Sequence, residues 1–110
     1  MVTTENLLSQ MREQVLKLYS AEIQLAFEKE VDESKQRDFV NYRESYQNNL
    51  HQLEKQDLGQ VLAKMQTLEA ELSQAIASLN GALQTMNNTV NTLRNIRLVS
   101  TIIGRVIKMM

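Results

Sequence analysis

Apolar residues recur alternately every four and every three positions over the second half of the chain, with Glu69 as the one polar interruption. The row consists of Leu58, Leu62, Met65, Leu72, Ile76, Leu79, Leu83, Met86, Val90 and Leu93. This spacing places one side chain per turn on the same side of a helix. A parallel row through Val61, Leu68 and Ala75 widens the apolar stripe to three positions, which is typical of a helix that faces more than one neighbour in a bundle.

The first half shows the same periodicity with one polar gap. An apolar row from Leu8 to Leu25 predicts a helix that reaches about Glu30, with Thr3 or Thr4 as its N-cap. Residues 28–38 (EKEVDESKQRD) contain a single apolar residue. They fit a solvated continuous helix, which we expect because no Gly or Pro stops it, or a loop in which Asp32 or Ser34 caps a new helix.

Two sites carry turn signals, and the apolar periodicity distinguishes them. Residues 55–60 (KQDLGQ) combine the potential N-cap Asp57 with Gly59, where the apolar rows change phase, so we expect a turn there. Asn80–Gly81 is also a common turn dipeptide, yet the apolar row runs through it in phase. We therefore interpret Gly81 as a glycine inside a helix.

These elements predict an all-α fold in one domain, residues 1–110. The predicted architecture is a long antiparallel, coiled-coil-like helical hairpin, with arms at about 3–55 and 60–108 and a turn at about 55–60. Each arm would extend about 75 Å, and Tyr46, for example, would lie opposite Met65. A break near residues 31–38 would convert the hairpin into three helices.

The hairpin leaves one apolar surface without a partner. Part of the second arm lies opposite the charged span 32–39, and exposing large aliphatic side chains forfeits about 1.5–3 kcal/mol each. The residues expected to form a self-association or partner-binding interface are Leu72, Ile76, Leu79 and Leu83. We therefore expect a helical-bundle homo-oligomer, a dimer in the first instance, or binding to the helices of a partner protein.

The C-terminal segment 96–110 predicts a basic amphipathic helix. Its apolar face and flanking cations are Ile102, Ile103, Val106, Ile107, Arg105 and Lys108. This face either packs internally on the first helix, with its arginines near Glu5, Glu13 and Glu22, or docks elsewhere. The docking alternatives are an anionic membrane surface and another protein.

Charge is unevenly distributed, although the net charge is only −1. All 13 acidic residues lie at or before Glu71, whereas residues 72–110 contain four Lys or Arg and no acid. The isolated cations lack neighbouring aromatic residues, so the sequence gives no support for nucleic-acid binding. Cysteine is absent, and no signal-peptide pattern or long apolar run is present, which favours a cytoplasmic location, with peripheral membrane association as the alternative.

Catalytic and metal-binding patterns are weak. His51 is the single histidine, with Glu54 one turn later, and a surface histidine explains this pair better than a carboxylate-bridged metal site. Neither a base-activated nucleophile nor a glycine-rich phosphate loop is recognisable. We therefore expect no enzyme activity, cofactor, metal or small-molecule substrate. The hypothesis is a non-enzymatic helical interaction or scaffold protein, and the alternative is a peripheral membrane protein that uses the C-terminal helix.

Overall fold

The computed structural model describes residues 4–30, 32–86 and 88–110, and these residues form α-helices with no strand. The helices are α1 (Thr4–Leu18), α2 (Ala21–Glu28), α3 (Glu33–Glu54), α4 (Leu58–Thr67), α5 (Glu69–Thr85) and α6 (Thr89–Lys108). The prediction of an all-helical fold is confirmed. The prediction of two uninterrupted arms is wrong, because each arm is divided into shorter helices.

Polar N-caps define where four of the helices begin. Asp32 accepts a hydrogen bond from the Ser34 backbone N–H at 2.9 Å, and Asp57 accepts one from Gln60 at 3.2 Å. Ser20 and Asn88 cap α2 and α6 in the same way. Each cap satisfies a backbone N–H that has no partner within its own helix. The cap at Asp57 supports the predicted turn near 55–60. The cap at Asp32 shows that a new helix begins there, so the expected continuous helix through 28–38 is wrong and the alternative with a capped new helix is right. Thr4 is the first residue of α1, and the alternative cap Thr3 lies outside the described residues.

A reversal after α5 was not predicted. Met86 adopts the left-handed conformation with φ of 49°, and its N–H donates to the Ala82 carbonyl. This geometry ends α5, because a left-handed residue cannot continue a right-handed helix. Gly81 lies within α5, as predicted, and the chain reverses between α5 and α6 instead.

Contacts between the helices define a four-helix bundle. Around the bundle the order is α1, α3, α6, α5, so α6 lies between α3 and α5. Helices α1 and α3 are antiparallel, since Arg12 contacts Glu54 while the Leu18 carbonyl contacts Arg43. The molecule measures 43 × 26 × 19 Å, which is too short for the predicted arms of about 75 Å. Tyr46, which was expected opposite Met65, donates a hydrogen bond to Gln14 of α1.

Aromatic contacts hold α2 against α3. The rings of Phe27 and Phe39 stack with centroids 4.0 Å apart and an interplanar angle of 5°. The Arg43 guanidinium lies 4.2 Å from the centroid of the Tyr19 ring, in the geometry of a cation–π interaction. After the bend at the end of α1, these contacts keep α2 against the N-terminal half of α3.

Replacing Gly81 with alanine should stabilise the fold by about 0.5–1 kcal/mol, because alanine loses less backbone entropy than glycine in a helix. A Cβ at position 81 would have no heavy atom within 4 Å beyond the neighbouring helical backbone. Urea denaturation followed by circular dichroism measures the change in the free energy of unfolding. A lower free energy of unfolding for Gly81→Ala would contradict its position in a regular, unobstructed helix.

Candidate functional site

The residues proposed as a self-association interface lie in the interior of one chain. Leu72, Ile76 and Leu79 are fully buried, and Leu83 is 3% exposed. Helices α1 and α6 both pack against α5, and the predicted hairpin did not include this arrangement. The premise that a single chain leaves these side chains uncovered is therefore wrong. They belong to the core of the bundle.

The apolar face of the C-terminal helix is also internal. Ile102, Ile103 and Val106 are buried, and Ile107 is half-buried against the core. Internal packing is thus the alternative that the structure favours, although α6 packs mainly on α3 and α5 rather than on α1. The cations Arg105 and Lys108 remain exposed on the outer surface of α6.

A buried polar network links α1, α3 and α5. The Tyr46 hydroxyl donates to Gln14 Oε1 at 2.7 Å, and Gln14 Nε2 donates to the Ile76 carbonyl and to Asn80 Oδ1, each at 2.8 Å. Tyr46 is fully buried and Gln14 is 2% exposed. The network satisfies the polar atoms of both side chains and fixes three helices relative to one another, so it has a structural role.

The buried phenol should make stability depend on alkaline pH. Burial raises the pKa of the Tyr46 hydroxyl well above its ordinary value of about 10. Above pH of about 10 the unfolded chain loses this proton while the folded chain keeps it, so the Tyr46 contribution to stability falls by about 1.4 kcal/mol per pH unit. Urea unfolding between pH of about 9 and about 11 should show a shallower decline for Tyr46→Phe than for the wild type. Parallel declines in the two proteins would contradict this assignment.

The most distinctive surface feature is a groove between α3 and α6, which we call the basic groove. It has a volume of about 380 Å³. Its lining residues are Tyr42, Ser45, Asn49, Arg97, Ser100, Thr101, Gly104, Arg105 and Lys108. The two walls are held together where Asn49 Nδ2 donates to the Ser100 carbonyl and hydroxyl, each at 3.0 Å. Gly104 lies on the α6 wall, where a Cβ would stand 3.8 Å from Asn49 Nδ2, so the glycine lies close to the side chain that joins the two walls.

The electrostatics of the basic groove favour an anionic ligand. Its lining contains three cations and no carboxylate. Arg97 and Lys108 make no ion pair among the described residues, whereas Arg105 Nη1 lies 2.8 Å from Glu71 Oε2. Arg105 and Lys108 are one helical turn apart, and Thr101 and Ser45 add hydroxyl donors. Such a surface attracts carboxylates and presents several hydrogen-bond donors to them.

Two other grooves carry charges of both signs on their linings. The groove between α1 and α5, about 340 Å³, is lined by both Glu13 and Lys17. A shallow groove at the start of α3 is lined by both Glu33 and Arg37. Opposite charges on the same lining partly cancel the field that a ligand experiences. The basic groove is therefore the better candidate for a binding site.

The residues considered for metal chemistry are separated from further ligands. His51 is exposed, and Glu54 is engaged by Arg12 at 2.7 Å. Within the described residues no group of three or more His, Asp or Glu side chains is placed to hold a metal ion. In the same part of the chain, no helix combines the length and apolar character needed to cross a membrane.

Nothing among protein-family models, curated proteins or solved structures matches this chain. The candidate site therefore rests on geometry and charge. The sequence indicated Arg105 and Lys108 as possible docking residues, in a segment, 72–110, that contains no acid. Tyr42, Ser45 and Asn49 carried no such signal, because only the packing of α3 beside α6 places them on the α3 wall of the basic groove.

Proposed function

We propose that this protein is a non-enzymatic helical interaction protein that binds an acidic surface of a partner protein through the basic groove. The observation that carries the proposal is the lining itself, which contains three cations and no carboxylate. In this proposal the partner contacts surface charges rather than the apolar stripe that contains Leu72, Ile76 and Leu79.

The burial of the apolar stripe of α5 supports binding through surface residues. Because Leu72, Ile76 and Leu79 are already enclosed, exposing them to a partner would require opening the bundle. Each of these side chains would lose about 1.5–3 kcal/mol of burial, which is large beside a typical total stability of 5–15 kcal/mol. A partner that binds the folded protein must therefore use surface residues.

The spacing of the groove cations suits a helical acidic segment. Arg97 and Arg105 are separated by eight residues, which corresponds to about 12 Å along α6. Two glutamates separated by eight residues on a partner helix have the same axial separation. Exposed charges of this kind increase the association rate, and their attraction weakens as salt screens it.

A helix-forming peptide with two glutamates eight residues apart should bind the basic groove. We expect Arg97→Gln/Arg105→Gln to raise the dissociation constant by about tenfold, since each exposed ion pair contributes roughly 0.2–1 kcal/mol. NMR titration of the isotope-labelled protein measures the affinity, and the Gly104 amide should be among the most strongly shifted signals. Added salt should weaken binding to the wild type more than to the variant.

Arg37→Gln/Arg94→Gln is the matched control, because it removes the same charge from exposed positions outside the basic groove. It should bind the peptide as the wild type does. Equal weakening in both variants would show a nonspecific charge effect and would contradict the proposal. Binding to anionic vesicles but not to the peptide would instead favour the peripheral membrane alternative, even though the apolar face of α6 is internal.

A further inference from the structure

The outer surface of α1 carries charges that match the basic groove. Glu5, Ser9 and Glu13, which we call the acidic face, are all exposed. Glu5 and Glu13 are separated by eight residues and take part in none of the ion pairs between described residues. Lys17, one turn beyond Glu13 on the same side of α1, is paired with Glu22 at 3.2 Å rather than with Glu13. Leu16 also follows on this side and is 74% exposed, so an uncovered apolar side chain lies beside the acidic face.

The two surfaces have opposite charge and equal axial spacing. Arg97 and Arg105 repeat the eight-residue separation of Glu5 and Glu13, and both separations correspond to about 12 Å on a helix. Thr101 lies midway between the arginines, as Ser9 lies midway between the glutamates. A helix with the sequence of α1 therefore presents two carboxylates at the spacing that the basic groove accommodates.

These surfaces do not meet within one chain. Helix α1 packs on α3 and α5, and α6 packs on the same two helices, so α1 and α6 lie across the bundle from each other. Among the described ion pairs, Arg105–Glu71 is the one that joins α6 to the acidic part of the chain. Most of the charge asymmetry seen in the sequence consequently remains on the surface.

We propose that the acidic face of a second copy of this chain occupies the basic groove. The inference rests on the proposed function and identifies its partner. Because the two surfaces are different parts of the molecule, the contact is heterologous and joins copies head to tail. Arg105 and Glu71 are each about half exposed, and a guanidinium has five N–H donors, so Arg105 can accept a second carboxylate while its Nη1 contacts Glu71.

Two charge-neutralised variants test this contact by complementation. Glu5→Gln/Glu13→Gln removes the acidic face and keeps the basic groove, whereas Arg97→Gln/Arg105→Gln does the reverse. In low salt, sedimentation velocity should show that the mass of the wild type rises above one chain with concentration, while each variant alone remains a monomer. An equimolar mixture of the variants should form a one-to-one dimer and grow no further, since one intact surface of each kind is present.

Circular dichroism first verifies that both variants retain the wild-type helical content. Two matched controls, Glu28→Gln/Glu33→Gln and Arg37→Gln/Arg94→Gln, carry the same charge changes at other exposed positions and should associate as the wild type does. A wild type that stays monomeric, variants that still associate, or a mixture that stays monomeric would each overturn the inference. If the glutamate peptide nevertheless binds the basic groove, the proposed function stands and only the identity of the partner is wrong.

Discussion

Ile76→Asp is expected to unfold the protein even as an isolated chain. Ile76 is fully buried in α5, where its carbonyl also accepts a hydrogen bond from Gln14. The substitution removes aliphatic burial, worth about 2–5 kcal/mol for truncation in a core, and adds the cost of burying a carboxylate without a partner. A combined loss above about 5 kcal/mol reaches the total stability typical of a domain. Circular dichroism should show loss of helix at room temperature.

Ala77→Asp is the matched control, because residue 77 follows Ile76 on α5 but is exposed. This variant should remain folded, with a change in the free energy of unfolding of less than about 1 kcal/mol. The comparison also distinguishes two roles for the apolar stripe of α5, namely the core of a single chain and an interface between chains. A folded Ile76→Asp monomer that had merely lost an oligomeric state would restore Leu72, Ile76 and Leu79 to an interface between chains.

The helical class followed from the sequence because three-and-four spacing directly reports which side of a helix is apolar. The long hairpin did not follow, because periodicity does not show where one helix ends and the next begins. The row continues in phase from Leu83 through Met86 to Val90, although the chain reverses between them. Val90 is 48% exposed, so the apparent continuity was partly fortuitous. Asn88, a favourable N-cap residue, was the available signal for this turn.

A similar bend changed the buried face near the N-terminus. The predicted helix to about Glu30 is interrupted after Leu18, and Ser20 caps a new one. The bend rotates the helix, so Ile23 is fully buried whereas Leu25, the end of the expected row, is 53% exposed. The sequence alone does not show this rotation, and only the tertiary contacts of α2 with α3 show that Ile23 and Phe27 are internal.

The candidate site was predictable only on its α6 wall. The absence of acids after Glu71 identified a basic segment, and helical periodicity placed its cations away from the apolar face. The second wall depends on α3 lying beside α6, and this neighbour relation requires the unpredicted reversal between α5 and α6. With a different connection, Tyr42 and Asn49 would have faced another helix, and no groove of this composition would have formed.

The partners of the buried polar network were also not predictable from the sequence, because they depend on how the helices pack. Gln14 shares the four-and-three spacing of the buried residues Met11 and Leu18, so its position on the inner side of α1 could be inferred, but the sequence does not show which polar groups its amide meets there. Its amide bridges the Tyr46 hydroxyl and the Ile76 carbonyl because α1 lies between α3 and α5 at this level. A polar contact of this kind favours one axial alignment of neighbouring helices over slipped alternatives, as polar core positions do in coiled coils.

Gln14→Leu should therefore destabilise the fold by about 1–3 kcal/mol, despite placing an apolar residue in the core. The variant deprives the buried Tyr46 hydroxyl of its acceptor at 2.7 Å and leaves only the Met11 carbonyl at 3.4 Å. Losing one partner of a buried hydrogen bond costs the desolvation of the other. Urea denaturation of Gln14→Leu measures this loss, with the exposed Gln52→Leu as the control that should change little.

The double variant Gln14→Leu/Tyr46→Phe isolates the interaction energy. The double variant removes both the Tyr46 hydroxyl and the Gln14 amide, so no buried polar group is left unpaired. It should therefore be more stable than the sum of the two single effects predicts. We expect a coupling of about 1–2 kcal/mol between the two positions, which is the range for residues in one hydrogen-bond network. Strict additivity of the two substitutions, or a single Gln14→Leu variant more stable than the wild type, would show that the network does not hold α1, α3 and α5 together.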